Sequence, residues 1–272
     1  MPTYLSKPGL YSLLESGFTA LTDLQGELGE PQWTVPTCLP GWNVRDAVAH
    51  VAATEAMLAG DPAPEADVSH LDHMKNPIAV NNEIWVESLR SLTTDALQEY
   101  FRDVTTRRLA ALEVMTQEEF DAPSWTPAGP DETYGRFMRI RHYDTFMHEH
   151  DIRAALGLPD RSPEPEVASS LDEVATGLGY IVGRRAAMPD GSRVRIELTG
   201  PAARTFLVAV DGRAAVVEEL DGPPTVDLTL SSMLFLRLTG GRRDGVERAD
   251  EVVMGGDGDL ARRLVENLAF TI

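Results

Sequence analysis

Apolar residues recur at helical spacing through the first half of the chain. Leu10, Leu13, Leu14, Phe18, Leu21, Leu24 and Leu28 share one face, which predicts a helix from Leu10 to Leu28. A proline-rich break from Pro31 to Pro40 follows. Asn43 then stands as N-cap of a second helix, with Asp46 in the capping-box position, and Gly60-Asp61-Pro62 stops that helix near Ala59. Residues 61–77 read as a loop with a short helical piece around His70 to Met74. Ile78 to Leu92 and Asp95 to Met115 are two further helical patterns, divided by the start signal Thr93-Thr94. Residues Asp121 to Asp131 carry proline and glycine and read as a loop. Thr133 to Leu156 is the last long helix of this half, closed by Gly157 with Pro159 beyond it. Short connections between such helices predict a helical bundle.

The second half changes period. A helix is expected from Glu166 to Met188, then alternating or apolar runs at Arg193–Leu198, Thr205–Val210, Ala214–Glu219 and Thr225–Leu230, each bounded by Gly, Pro or Asp. Asp211-Gly212 between two of these runs is a hairpin signal. Ser231–Leu238 and Leu260–Leu268 read as helices. The pattern predicts an α+β fold overall, a helical bundle over residues 1–160 followed by a smaller α+β domain with an antiparallel sheet over 161–272. The boundary falls in the segment GLPDRSPEP, residues 157–165.

Composition narrows the function classes. The chain has 272 residues, 43% hydrophobic and 25% charged, which is globular and not disordered. Its formal net charge of −19, from 43 acidic and 24 basic residues, repels phosphate backbones, and no basic stripe offsets it, so no nucleic-acid partner is expected. No apolar run is long enough for a membrane span and no secretory signal is visible at the N-terminus. One cysteine, Cys38, can form no internal disulfide, which fits a reducing cytoplasm.

All six histidines lie in the first 150 residues. On the helix Thr133–Leu156, Phe137, Ile140, Asp144, Met147, His148, Asp151 and Ala155 fall on one stripe. Asp144 and His148, at i and i+4, are polar groups on an otherwise apolar face, and such groups are costly to bury unless paired or bound to metal. Bundle metal sites are built from inward-facing carboxylates and imidazoles. His50, beside the apolar stripe Val44, Ala47, Val48 and Val51 of the second helix, offers a third ligand. His50, Asp144 and His148 would leave an open position, as catalytic zinc sites do. A core His–Asp hydrogen bond without metal explains Asp144 and His148 equally well, and His50 at the edge of its face is open to solvation. His70 and His73 are expected in the loop, and His142 and His150 on the surface. Asp151 either orients an imidazole or pairs with an arginine. Trp42 is expected in the core, and Cys38 as a packed, inert thiol, with a nucleophile or ligand as the alternative.

The segment Thr37-Cys38-Leu39-Pro40-Gly41-Trp42-Asn43-Val44-Arg45-Asp46-Ala47-Val48-Ala49-His50 resembles the first signature of the mycothiol-dependent maleylpyruvate isomerase family, a branch of the DinB-like bundles. Arg141-His142-Tyr143-Asp144-Thr145-Phe146-Met147-His148-Glu149-His150-Asp151-Ile152-Arg153, running into Ala155-Leu156-Gly157, is similar to its second. Gly256-Asp257, Ala261-Arg262-Arg263 and Glu266-Asn267 resemble the end of its sterol-carrier-like C-terminal domain. The resemblance implies a DinB-like up-down four-helix bundle for the first half of the chain and metal ligands at His50, Asp144 and His148. Asp144 stands where glutamate is commoner, and His150 where an aromatic residue, often tryptophan, is usual. The family's C-terminal substrate-contacting arginine has no unambiguous match.

The resemblance further implies a divalent metal, with zinc suited to two imidazoles and a carboxylate, and mycothiol as thiol cosubstrate. A thiol held as thiolate would add to the double bond of a small electrophile, as a cis–trans isomerase, or displace a leaving group, as an S-transferase. A metal-dependent hydrolase and a non-catalytic small-molecule or lipid-binding protein are the rival readings, and the chain is expected as a monomer or homodimer.

Overall fold

The computed structural model describes residues 2–271, which form two compact units, the first ending at Asp160 and the second beginning at Arg161. In the first unit, α1 (Lys7–Glu27) buries Leu10, Leu14, Phe18, Leu21 and Leu24 along one stripe. A 3₁₀ turn at Glu30–Thr34 carries the buried Trp33 and leads to α2 (Val44–Leu58). The α2 start is fixed reciprocally: the Asn43 side chain accepts from the Asp46 amide, and the Asp46 carboxylate accepts from the Asn43 amide, each at 3.0 Å. Helix α2 is buried along nearly its whole length, its alanines 47, 49, 52, 53 and 56 letting neighbours approach closely. Next come α3 (Pro77–Leu89), capped by Asn76, α4 (Thr94–Val114), capped by Thr93, and the single turn α5 (Gln117–Phe120). A hairpin of β1 (Pro123–Thr126) and β2 (Gly129–Thr133) feeds α6 (Tyr134–Ala155), capped by Thr133.

Helices α1, α2, α4 and α6 form the bundle, α1 packing on α4 and α6, and α2 on α3, α4 and α6. Phe18 of α1 meets Phe101 of α4 edge to face at 6.5 Å. Each fully buried side chain of this size stabilises the unit by about 1.5–3 kcal/mol before the entropy of ordering is set against it. Three local expectations fail here. Residues 70–74 hold no helix, only a turn. The expected loop over 121–131 is the β1–β2 hairpin, whose short strands are too polar to show an alternating pattern. Helix α6 is buried on every side from Gly135 to Ile152 apart from Ile140 and Asp144, so the one-sided face read from its sequence does not exist.

The second unit begins with α7 (Glu164–Ala175), followed by α8 (Leu178–Tyr180), which runs into a π turn at Ile181–Arg185. The single helix expected over 166–188 is therefore broken. The break lies at Thr176–Gly177, where a Cβ on Gly177 would lie 2.9 Å from the Phe270 ring. Within α8, a Cβ on Gly179 would lie 2.9 Å from the Ala214 carbonyl oxygen, so glycine there lets backbone meet backbone. Strands β3 (Arg193–Thr199), β4 (Arg204–Asp211), β5 (Arg213–Val217) and β6 (Val226–Ser231) follow, then α9 (Ser232–Thr239), α10 (Arg243–Glu247), β7 (Val253–Gly256) and α11 (Gly258–Glu266). The sheet order is β5-β4-β3-β6-β7, antiparallel at every pairing except the parallel β3–β6. Val194, Ile196 and Leu198 alternate inward with Val226, Leu228 and Leu230 of the neighbouring strand. No helix among the described residues is long and apolar enough to cross a membrane.

Candidate metal centre

Three side chains from two helices converge inside the bundle. Helix α2 presents His50, whose Nε2 lies 3.2 Å from Asp144 Oδ2, and one turn of α6 places His148 Nε2 3.4 Å from Asp144 Oδ1. One donor atom from each of the three lies within 4.8 Å of the others. The imidazole rings sit 4.9 Å apart at 72°, edge to face and not stacked. Both histidines are only 5% exposed, whereas the Asp144 side chain keeps 28% of its surface, so the cluster is buried but reachable through its carboxylate.

The surrounding groups hold this arrangement. Asp151, fully buried one turn beyond His148, accepts from His148 Nδ1 at 3.1 Å, which directs the ring's Nε2 toward Asp144. Its other oxygen lies 3.5 Å from Cys38 Sγ. Arg141 donates from Nη1 to Asp144 Oδ2 at 2.6 Å and from Nε to Glu55 Oε1 at 2.9 Å. Glu55 Oε2 in turn receives Arg108 Nε at 3.1 Å, and Arg108 Nη2 reaches the Tyr134 hydroxyl at 2.7 Å. The Trp42 ring covers the two imidazoles, 5.0 Å from His50 and 5.8 Å from His148. Its indole N–H donates to Glu83 Oε2 at 2.7 Å. Glu83 is 1% exposed and also takes His73 Nε2 and Arg90 Nη2, while Arg90 Nε pairs with Asp46 Oδ1 at 3.0 Å. Gly41, at φ +81°, brings the turn so close that a Cβ would lie 2.8 Å from the His73 ring.

These contacts set the protonation. Burial alone would raise the Asp144 carboxyl, but Arg141, His148 and His50 together hold it well below the usual carboxylate range. Burial lowers His50, and the pull of Asp144 does not restore it. Burial also opposes a charge on His148, yet Asp144 and Asp151 raise it above an ordinary histidine. The donor set, two imidazole nitrogens and one ionised carboxylate around a solvent-reachable point, fits a borderline divalent cation such as zinc.

The sequence reading and the structure differ at several residues. His142 and His150, expected on the surface, are each 1% exposed because α6 has no open face; His150 Nδ1 bonds the Phe146 carbonyl at 2.7 Å. Trp42 is half-buried: it packs against the core, and its ring also covers the cluster. His70 is exposed in the loop, and His73 lies in the same loop but is tied to Glu83. Asp151 is the orienting carboxylate, and Cys38 lies beside it, half-buried. Glu55, Arg141, Arg108 and Glu83 escaped the sequence reading. Glu55 left a signal, an acidic residue inside the nearly all-apolar run Val51 to Leu58.

Residues 14–153 match the family model for the mycothiol maleylpyruvate isomerase N-terminal domain, and residues 168–263 match the MDMPI C-terminal domain. The chain belongs to the mycothiol maleylpyruvate isomerase family. Among solved structures, that of the mycothiol-dependent maleylpyruvate isomerase is 17% identical over 92% of this chain and 93% of its own, with a TM-score of 0.60. A histidine-to-alanine variant of that enzyme is 16% identical over the same shares, also at 0.60. At that identity the likeness establishes the family's two-domain fold. No curated protein matches the chain in sequence.

Proposed function

We propose that this member of the family is a metal-dependent enzyme that holds a divalent ion, zinc by preference, through His50, Asp144 and His148, and uses mycothiol against a small electrophile. The observation that carries the reading is the convergence of two buried imidazole Nε2 atoms on one half-buried, ionised carboxylate, with His148 already oriented by Asp151. When bound, the metal would supply a Lewis-acid position at which a thiol is held as thiolate, the nucleophilic form. The protein's own groups do the rest. Asp151 keeps His148 in the Nδ1–H form, Arg141 fixes the Asp144 carboxylate, and Trp42 closes one side of the site. In an isomerisation the thiolate sulfur forms a C–S bond to one alkene carbon. The π pair of the alkene passes onto its electron-withdrawing carbonyl group as an enolate. Rotation about the resulting single bond and return of that pair, expelling the same sulfur, then give the other isomer with the thiolate regenerated. In an S-transfer the C–S bond persists and a leaving group departs with its electron pair.

The test is elemental analysis of protein purified without a metal-affinity tag, with His148→Ala alongside, followed by turnover of maleylpyruvate with and without mycothiol. About one equivalent of a divalent metal, lost in the variant, is expected, together with turnover that requires the thiol. Protein that neither contains nor takes up zinc would overturn the metal site. Turnover without thiol would move the assignment to a hydrolase.

A further inference from the structure

Behind Asp144 a row of charges continues past the Arg141 contact into the bundle, through Glu55 and Arg108, which the proposed chemistry leaves without a role. It alternates in sign: Asp144, Arg141, Glu55, Arg108, joined by contacts of 2.6, 2.9 and 3.1 Å. It passes from α6 to α2 to α4, and Arg141, Glu55 and Arg108 are 3%, 1% and 2% exposed. Burying three charges in a bundle core is expensive, and apolar residues of similar volume usually serve stability as well or better. The row therefore calls for an explanation other than packing. At one end it meets the site through Arg141 Nη1 on Asp144 Oδ2, the oxygen that also faces His50; at the other, Arg108 Nη2 reaches the Tyr134 hydroxyl.

We propose that Arg141, Glu55 and Arg108 are positioning residues that set the charge felt at the His50–Asp144–His148 centre, and so its balance between holding the cation and holding an anionic partner. The inference rests on the metal reading above. Glu55 draws Arg141 away from Asp144 and leaves the carboxylate more of its charge for the cation. Arg108 competes for Glu55 and thereby returns Arg141 to Asp144. Removing Glu55 makes the centre more positive, which weakens the cation and strengthens an anion beside it. Removing Arg108 does the reverse.

The experiment uses the full chain, with Glu55→Gln, Arg108→Met and Arg108→Lys. Zinc affinity is read by chelator competition, and azide affinity by the visible spectrum of the cobalt-loaded protein. Glu55→Gln is expected to weaken zinc and tighten azide, each about tenfold. Arg108→Met is expected to tighten zinc and weaken azide by about three- to tenfold, and Arg108→Lys, which keeps the charge, to stay near the parent. A simple loosening of the core would weaken zinc in every variant, so the crossed signs separate the two roles. Shifts in one direction for both neutralising variants, or none, overturn the inference while the metal reading stands. If Glu55→Gln does not fold, the contrast between Arg108→Met and Arg108→Lys decides alone. A parent protein that binds neither zinc nor cobalt overturns the metal reading and this inference with it.

Discussion

Asp151→Asn tests how much of the proposed site is built outside its ligands. The carboxylate is fully buried and touches His148 Nδ1 at 3.1 Å, so asparagine fits the same space but removes the charge that favours the Nδ1–H form. Loss of such an orienting partner typically weakens metal affinity about 10- to 100-fold, or about 1.4–2.7 kcal/mol. The consequence for stability follows by mass action. With free zinc at about 100 times the parent dissociation constant, the parent gains about 2.7 kcal/mol, while the variant gains only about 0.4–1.4 kcal/mol. For a unit of this size each kcal/mol moves the melting temperature by about 2–4 °C. Zinc should therefore raise the parent by about 5–11 °C and the variant by about 1–6 °C, each measured against its own metal-free form. Scanning calorimetry with and without chelator reads both. Equal zinc-induced shifts in the two proteins would refute the role given to Asp151.

Protonation supplies a second prediction: zinc must displace a proton from His148, whose pKa is raised, so affinity should climb with pH up to that value and then level. Titration calorimetry near about pH 6 in two buffers of different ionisation enthalpy should show close to one proton released per zinc; heats independent of buffer would contradict it. Without metal, the His148 contribution to stability is fully present below its unfolded value near about 6.5 and is lost as pH rises through the higher folded value. The Asp144 contribution runs the other way, present above the ordinary carboxylate range and lost as pH falls through its depressed value. His50, held neutral, adds stability that is lost on acidification below about 6.5, and histidine ring resonances followed against pH should place its midpoint below that of His148. Finally, Gly41→Ala should cost about 1–3 kcal/mol in urea unfolding, because φ is +81° and the new methyl would meet the His73 ring; an unchanged midpoint would show that this turn yields freely.

The helices were legible because their signals are local. The Asn43–Asp46 box, the Thr93 and Thr133 caps and the leucine stripe of α1 each lie within a turn or two of the backbone they fix. The convergence of Asp144 and His148 was legible for the same reason, since i and i+4 on a helix are neighbours wherever it packs. What failed was long-range. His142 and His150 read as surface residues because periodicity assumes one buried face, and α6 is buried on all sides. The Glu55–Arg141–Arg108 row joins three helices across separations of 53 and 86 residues, which no window along the chain can register. The close packing of α8 at Gly179 depends on a strand more than thirty residues later, at Ala214.

The network under Trp42 binds two properties that are usually free to vary separately. Asp46 starts α2 by capping it, and the same carboxylate holds Arg90, which holds Glu83, which holds the indole over the imidazoles. A change at Asp46 for helix stability is therefore also a change in the support of the indole over His50 and His148. Variation at this end of the cluster is correspondingly constrained, because each step must keep a helix terminus intact. The loop of residues 61–76, tied in through His73 alone among its histidines, is the part of this assembly that can vary at the least cost to the helix beneath it.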